Sequence, residues 1–264
     1  MQQTLQITNS GSAMSIVARF HAVSVAAALA AATTIPTAGA ADPATTVSLH
    51  NCSEQSVALI YPSELYRKLL PPGFSFPGLH LTAQILVSGS NCESANGGGP
   101  SSELLSFMEV VPTAEYMDPD VPLYAIALTG YSTRPDTVAA FAAAGFGDLV
   151  HLGTVKVTEV DHPLLLERRG NVVAGNAEAQ VITSTVVFGP LTTVAASRTR
   201  LFAVRNGAVV GIADGQYTAH PGYAGIGTLL KFGDGPAVTP IGVSVATHES
   251  GYDLLITPVP LPSQ

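Results

Sequence analysis

The stretch LFAVRNGAVVGI, residues 201–212, is the strongest β-hairpin signal in the chain. Two apolar runs, at 201–205 and 208–212, flank the dipeptide Asn206-Gly207. This dipeptide favours a type I′ turn, because both central residues of that turn need a positive φ. The stretch therefore predicts two antiparallel strands joined by a two-residue turn.

Strand-like segments continue on both sides of this hairpin. Within residues 154–160, Thr154, Lys156 and Thr158 alternate with valines, which is the pattern of a half-buried antiparallel strand. Further segments rich in β-branched and apolar side chains lie at 57–61, 79–88, 104–111, 123–129, 149–160, 179–188, 194–204, 241–247 and 252–257.

Helical signals are few. A short helix is predicted at 64–70, ended by the prolines at 71–72. A second begins near Thr133 and stops at Gly145. The sequence shows no βαβ alternation, internal repeat or linker. It therefore predicts one mainly β domain, a closed antiparallel β-barrel or cone, or a sandwich, with two short flanking helices.

Residues 1–40 have the three regions of a secretory signal peptide in the required order. Arg19 supplies the positive charge, residues 22–32 form an apolar run, and AGA at 38–40 gives a small-x-small cleavage site. We expect cleavage there, with an uncleaved anchor or a disordered leader as the alternative. The apolar run is too short to cross a bilayer as a helix.

Cleavage at this site leaves residues 41–264 as the folded domain, with an extended, exposed proline-rich tail at 258–262. Residues 1–13 carry no charged side chain and add nothing to the signal. Translation from Met14 would give a signal peptide of the usual length, so we expect translation to begin there. No other apolar stretch approaches membrane-spanning length. The protein is therefore predicted to be secreted or periplasmic, with no integral membrane segment in its mature form.

Composition excludes several classes of protein. Hydrophobic residues make up 47% of the chain and charged residues 11%, so a large core is available and disorder is not expected. The formal net charge is −8, and the densest basic spot, Arg168-Arg169, lies beside Glu167. Without a basic patch, nucleic-acid binding is not expected.

Cys52 and Cys92 are the only cysteines. In an exported protein, two cysteines most simply form one disulfide, and two free thiols are the alternative. The bridge would close a loop of about forty residues and would stabilise the fold by at most roughly 4 kcal/mol. It would tether the glycine-rich stretch at 97–99 to the first strand.

Residues 56–160 resemble the acetoacetate decarboxylase-like superfamily. The motifs that carry the resemblance are a strand at 57–61, a short helix at 64–70, the turn LLPPGF at 69–74 and the step Val110-Val111-Pro112. The resemblance implies a closed β-barrel or cone around a central cavity, flanked by a few helices.

The family's catalytic signature is missing. Its decarboxylases use a Phe-Pro-Lys-Lys segment in which one lysine forms a Schiff base, whereas the corresponding stretch here, GYSTRP at 130–135, has no lysine. The glutamate expected before the Val-Ile-Pro step is displaced as well, because Ser106 holds that spacing and Glu109 lies closer. The resemblance thus implies a fold, and it argues against β-keto acid decarboxylation by the family's usual means.

Three candidate catalytic residues remain. Lys156 is a pocket residue if its strand face lines a barrel interior and an ordinary surface lysine if that face meets water. Glu109 is either an inward, functional carboxylate or the polar side of its strand. His220 lies with Asp214 in a segment, 214–223, that is predicted to be a polar, glycine-rich loop, and the two side chains could form an acid–base pair unless the loop is a plain turn.

No cofactor or metal site is predicted. The chain lacks G-x-G-x-x-G, a Walker lysine, G-x-S-x-G and H-E-x-x-H, and its histidines are dispersed. His248 and Glu249 are adjacent, and a strand would point their side chains apart.

Three functions remain open. The first is a secreted barrel that binds a small hydrophobic or carbonyl-bearing molecule such as a keto acid, since ligand pockets are mostly apolar. The second is an enzyme of the same superfamily with altered chemistry, a lyase, hydrolase or isomerase acting on a keto or enol substrate. The third is a non-catalytic interaction module of the cell envelope. The sequence does not indicate the oligomeric state.

Overall fold

A computed structural model of the chain describes residues 46–162, 167–176, 180–188, 192–232 and 244–262. The predicted signal peptide and the start of the predicted strand at 241–247 lie outside the described residues. In the described part of the chain, no helix is both long enough and apolar enough to span a membrane.

Among the described residues, seven strands close into a barrel. Each strand pairs with the next, and the ring closes where the last strand pairs with the first. Their order around the barrel is β1 (Val47–Pro62), β2 (Thr82–Ala95), β3 (Ser101–Glu109), β4 (Leu123–Ser132), β10 (Ser197–Arg205), β11 (Ala208–Tyr217) and β13 (Ser244–Val259).

The predicted closed, β-rich barrel is confirmed, with one difference in strand direction. β4 and β10 run parallel, with Leu123 opposite Thr199, whereas the other neighbours in the barrel are antiparallel. The chain leaves the barrel after β4 and returns only at β10. A hairpin cannot join these two strands, and a long crossover permits the parallel pairing.

The excursion between β4 and β10 supplies most of a second sheet. Residues 244–249 of β13 pair with β12 (His220–Phe232), which continues into β8 (Gln180–Phe188), β7 (Glu167–Gly175) and β6 (Thr154–His162). Two short strands lie off this path: β5 (Val150–Leu152) pairs with β4, and β9 (Thr192–Val194) pairs with β12.

Side-chain amides join the second sheet to the barrel. Gln55 of β1 donates from Nε2 to the carbonyl oxygen of Thr158 at 2.7 Å, and Asn91 of β2 donates from Nδ2 to that of Val157 at 3.2 Å. Both acceptors lie on β6, the last strand of the second sheet. β6 is therefore held against the barrel without backbone pairing to β1 or β2.

The two predicted helices are present, in altered form. The first is a pair of 3-10 turns, Ser63–Leu65 and Arg67–Leu69. The second is α1 (Pro135–Phe141), which runs on into a π-helical turn, Ala142–Phe146. Gly145 has a φ of 91°, as expected for a helix-ending glycine. A further 3-10 turn, Ala114–Tyr116, has no counterpart in the prediction.

Aromatic side chains pack together in the larger of two apolar cores. Ring centroids of Phe74, Tyr116 and Tyr124 lie 5.2, 5.6 and 6.4 Å from that of Phe202, so four aromatic rings are grouped there. This core also contains Val172 and Val187 of the second sheet. A second apolar core, which includes Phe141 and Phe146, packs α1 against the sheet.

Four strand predictions need correction. The segment 149–160 is broken at Gly153 into β5 and β6, and β7 has no counterpart in the predictions. The predicted pair 241–247 and 252–257 is one continuous strand, β13, which passes through Gly251 at a φ of 72°. The predicted loop at 214–223 is largely strand, since it contains the end of β11 and the start of β12.

The predicted disulfide is confirmed. Cys52 of β1 and Cys92 of β2 are bonded and lie directly opposite each other in this antiparallel pair. Both residues are buried. The bridge therefore ties together two barrel strands, and it also fixes the glycine-rich connection that follows β2.

Candidate functional site

Two glutamates, one buried and one partly exposed, face each other across the strand pair that closes the barrel. Glu54 of β1 and Glu249 of β13 are direct partners in the antiparallel register, so their side chains share one face of the sheet. His220 at the start of β12 and Tyr252 of β13 lie on the same face and contact them. We refer to Glu54, His220, Glu249 and Tyr252 as the acidic cluster.

A shared proton links His220 to Glu249. The imidazole Nδ1 lies 2.6 Å from the carbonyl oxygen of Thr218, and because a carbonyl only accepts, Nδ1 carries a hydrogen. The other nitrogen, Nε2, lies 2.7 Å from Oε2 of Glu249. That contact requires one more proton, held either as an imidazolium–carboxylate pair or as an imidazole–carboxylic acid pair.

Hydroxyl groups surround Glu54. The phenol of Tyr252 donates to Oε2 at 2.6 Å, and the hydroxyl of Ser56 donates to Oε1 at 3.2 Å. Ser56 also lies 2.9 Å from the hydroxyl of Thr247 on β13. The carboxyl group of Glu54 is therefore held in one orientation by Ser56 of β1 and Tyr252 of β13.

The surroundings of Glu54 and His220 raise the pKa of both groups. Burial raises the pKa of Glu54, the charge of Glu249 raises it further, and hydrogen bonds from Tyr252, Ser88 and Ser56 only partly oppose this. For His220, burial lowers the pKa, but the hydrogen bonds to Glu249 and Thr218 and the charges of both glutamates raise it above the ordinary value. Glu54 and His220 therefore keep their protons up to a higher pH than the same groups would in solvent.

Solvent reaches the cluster at Glu249. The side chain of His220 is 1% exposed and that of Glu249 is 19% exposed, while Glu54 is buried. β12 passes close to Glu249 at Gly222, where a Cβ atom would lie 2.9 Å from Val194 and 3.3 Å from Cγ of Glu249. A small molecule approaching this face therefore meets the Glu249 carboxyl first.

Aromatic rings form the apolar side of the cluster. The ring of Tyr252 lies 5.0 Å from that of His220 and 5.7 Å from that of Tyr217, centroid to centroid. Within the residues that the structure describes, no three His, Cys, Asp or Glu side chains are placed to hold a metal ion. The arrangement can donate or accept a proton beside an apolar surface.

Of the three predicted catalytic residues, only His220 lies in this cluster. Lys156 lies on an exposed face of β6, as in the surface alternative. Glu109 ends β3 on the face opposite the fully buried Met108, and it lines a small surface hollow of about 10 Å³ that is partly open to solvent. The other residues lining that hollow are Gln84, Leu86, Phe107 and Leu123.

The suggested Asp214–His220 pair is not formed. Asp214 is held by two arginines: Arg200 donates to it from Nε at 2.7 Å and from Nη2 at 2.9 Å, and Arg198 donates from Nη2 at 2.9 Å. His220 instead takes Glu249 as its partner. Sequence proximity pointed to the wrong carboxylate, because β11 and β12 both pair with β13 along different halves of that strand.

His248 points to the other face of β13, as predicted. Its Nε2 lies 2.6 Å from the hydroxyl of Thr185 on β8, and its Nδ1 lies 3.3 Å from a carboxylate oxygen of Glu159 on β6. Gln55, the neighbour of Glu54, faces the same side and contacts the Thr185 hydroxyl. This second polar group joins β1 and β13 to the second sheet, while the acidic cluster lies on the opposite face.

The segment that corresponds to the family's lysine pair lies at the end of β4. Tyr131 is buried in the larger apolar core, and Ser132 is fully buried beside Glu103 of β3, to which its hydroxyl donates at 3.1 Å. Lys68 and Lys156 are exposed on other elements. Where the family has its lysine pair, this chain therefore has a core residue, Tyr131, and a hydrogen-bonding residue, Ser132.

Comparison with known proteins identifies the fold. No family model matches the chain, and no curated protein matches its sequence. Among solved structures it is similar to acetoacetate decarboxylase from Legionella pneumophila, with a TM-score of 0.55 and 13% identity over 90% of this chain and 95% of that one. An acetoacetate decarboxylase-like enzyme from Sphingomonas wittichii gives a TM-score of 0.55 at 11% identity, covering 89% of this chain and all of that one.

A third similar structure is the enduracididine biosynthesis enzyme MppR complexed with pyruvate. Its TM-score is 0.52 at 14% identity, over 87% of this chain and 91% of that one. The chain therefore has the acetoacetate decarboxylase-like fold, as its motifs predicted. At these identities the similarity concerns the fold alone.

Proposed function

We propose that the protein is exported and binds a small carbonyl-bearing molecule at the acidic cluster, without Schiff-base chemistry. The observation that carries this proposal is the 2.7 Å contact between His220 Nε2 and Glu249 Oε2, next to the solvent-accessible edge of the cluster. A carbonyl oxygen needs a hydrogen-bond donor, and a cluster that retains its protons can supply one.

The surroundings of this proton favour a small, partly apolar ligand. The rings of Tyr252 and Tyr217 pack together beside His220 and make this side of the cluster apolar. MppR, which shares the fold, was solved with pyruvate, a carbonyl compound. The disulfide supports the exported location, because such bonds persist in oxidising compartments.

Acid–base catalysis at the same cluster is the second candidate. A proton that is shared between an imidazole and a carboxylate can be transferred to a substrate oxygen, while the freed base accepts a proton from the adjacent carbon. This reaction is the interconversion of a keto and an enol form, and it needs no lysine. The raised pKa of Glu54 favours the neutral form of that carboxyl group beside the reacting pair.

A ligand-induced thermal shift tests the binding proposal. Pyruvate, a 3-keto acid and a medium-chain methyl ketone are added to the wild type and to two variants, Glu249→Ala and the matched control Glu109→Ala. We expect at least one ligand to raise the midpoint of thermal unfolding of the wild type and of Glu109→Ala by several degrees at saturation, and not that of Glu249→Ala.

Each variant is first compared without ligand, so that a loss of fold is not mistaken for a loss of binding. A shift that persists in Glu249→Ala, or the lack of a shift in the wild type with all three ligands, would contradict the proposal. Running the same samples in D₂O separates the two candidates, since only a catalyst accelerates exchange of the ketone's α-hydrogens.

A further inference from the structure

The connection between β1 and β2 presents three leucines to solvent. Residues 63–81 form this connection, and within it Leu65 is 44% exposed, Leu79 is 85% exposed and Leu81 is 71% exposed. Single exposed leucines are common on protein surfaces, but three in one short connection form an apolar surface that calls for a partner. We refer to Leu65, Leu79 and Leu81 as the leucine tip.

The leucine tip is held in place by hydrogen bonds. Ser63 donates from its backbone nitrogen to the carbonyl oxygen of Leu81 at 3.0 Å and from its hydroxyl to that of His80 at 2.8 Å. These bonds bring the 3-10 turn that carries Leu65 next to the segment that carries Leu79 and Leu81. The leucines are thus exposed by a fixed backbone.

Buried aromatic residues anchor the same connection to the barrel. Phe74 and Phe76 are in the core, at 7% and 1% exposure, while Leu79 three residues later is the most exposed of the large apolar side chains. His80 between the two exposed leucines has a φ of 60°, a turn conformation that is uncommon for residues other than glycine. The chain therefore buries its phenylalanines and turns its leucines outward.

Two cations lie beside the leucine tip. Arg67 and Lys68, in the second 3-10 turn, are both exposed. Arg67 makes one long hydrogen bond, 3.5 Å, to the Ser63 hydroxyl, and neither residue forms an ion pair within the described part of the chain. Elsewhere the arginines at 134, 198, 200 and 205 are paired with aspartates.

The local charge is opposite in sign to that of the whole protein. The connection contains one acidic residue, Glu64, against Arg67 and Lys68, whereas the full chain carries a net charge of −8. A surface that combines exposed aliphatic side chains with unpaired cations matches a lipid bilayer with anionic headgroups. The aliphatic groups enter the acyl boundary, and the cations meet the phosphates.

We propose that the connection between β1 and β2 docks the protein on an anionic lipid surface. The leucine tip inserts into the boundary between headgroups and acyl chains, and Arg67 and Lys68 contact the phosphate groups. Binding is reversible, because three side chains supply far less apolar area than a membrane-spanning helix.

Vesicle co-sedimentation tests this docking. The purified protein is mixed with vesicles of pure phosphatidylcholine or of phosphatidylcholine mixed with the anionic lipid phosphatidylglycerol. We expect binding to the anionic vesicles, weakened by added salt. The double variant Leu79→Ser/Leu81→Ser should lose at least tenfold in partition coefficient, and Arg67→Gln/Lys68→Gln should lose about tenfold.

The matched control is Leu152→Ser/Lys156→Gln, which removes an exposed leucine and an exposed lysine from β5 and β6. It should bind like the wild type. Equal binding by all variants, or no binding by the wild type, would overturn the proposal. So would a halving of the protein's molar mass by Leu79→Ser/Leu81→Ser in light scattering, since that result would assign the tip to contact with a second copy of the chain.

Discussion

Replacing Glu103 by glutamine is expected to stabilise the protein at neutral pH by up to about 3 kcal/mol. Glu103 is 4% exposed on β3, and burial raises the pKa of its carboxyl group from 4.5 to about 7. Hydrogen bonds from Ser101 and Ser132 and the charge of Arg134 lower this pKa, and the charge of Asp136 raises it, but burial outweighs them. A shift of this size corresponds to about 3 kcal/mol.

The sign of the effect follows from proton binding. Between pH 4.5 and 7 the folded protein keeps the proton on Glu103 and the unfolded chain has released it, so the stability of the wild type falls as pH rises through this window. Glutamine is neutral at all these values, and its oxygen can accept the same two hydroxyl groups. The difference in stability between variant and wild type should therefore be small near pH 4 and should level off above pH 7.

Urea unfolding at pH 4, 5.5 and 7.5 measures this difference. The matched control is Glu109→Gln at the other end of β3, which removes a partly exposed carboxylate from the same strand. If the free energy of unfolding of Glu103→Gln differs from that of the wild type by the same amount at all three pH values, Glu103 titrates alike in the folded and the unfolded protein. That result would contradict the raised pKa of its buried carboxyl group.

Replacing Arg200 by methionine is expected to cost about 3 kcal/mol or more of stability. Arg200 and Asp214 are joined by two hydrogen bonds, at 2.7 and 2.9 Å, and their side chains are 10% and 5% exposed. Arg200 also donates to the carbonyl oxygen of Tyr116 at 3.0 Å and to the carboxylate of Asp118 at 3.2 Å. Its loss leaves Asp214 buried with Arg198 as its remaining partner, and an undercompensated buried charge is costly.

A second arginine offers the control for this prediction. Arg205 forms an ion pair with Asp148, but the two side chains are 56% and 69% exposed, and exposed pairs contribute about 1 kcal/mol or less. Thermal unfolding of Arg200→Met and Arg205→Met should therefore differ by many degrees. Equal losses would mean that burial does not determine the strength of these pairs, and our description of the Arg200 site would be wrong.

Local signals in the sequence predicted much of the fold. Asn206-Gly207 adopts φ values of 52° and 76° between β10 and β11, as a type I′ turn needs. α1 begins at Pro135, and the π-helical turn that follows it contains Gly145. Proline at a helix start and glycine near a helix end act through their own backbone preferences, so a local pattern is enough to predict both. The disulfide followed from the presence of two cysteines in a chain that is predicted to be exported.

Features that depend on long-range packing could not be predicted in this way. The predicted loop at 214–223 covers the start of β12, and the rest of that strand is not predicted. Within it, Gly225 lies where a Cβ atom would meet the backbone oxygen of Val186 at 2.2 Å. The residue is glycine because two strands approach closely there. In the same way, Tyr252 contacts Glu54 across 198 residues of sequence, and no local pattern connects the two.

The candidate site shows the same division. The polar, glycine-rich character of its segment singles out His220, but proximity in the sequence suggests Asp214 as its partner. The register of β1, β12 and β13 brings Glu54 and Glu249 to it instead. The alternation in residues 154–160 correctly predicts the strand that carries Lys156. It does not determine which face of that strand is exposed to solvent.

The most direct test of the acidic cluster is the titration of His220 followed by ¹⁵N NMR of the imidazole in the wild type and in Glu249→Gln. In the wild type we expect His220 to titrate above its ordinary pKa, because the bond to Glu249 and the charges of both glutamates outweigh burial. In the variant, burial should prevail and bring the pKa of His220 below that of the wild type. A pKa of His220 that is the same in both proteins would contradict the proton shared between His220 and Glu249, and with it the proposed site.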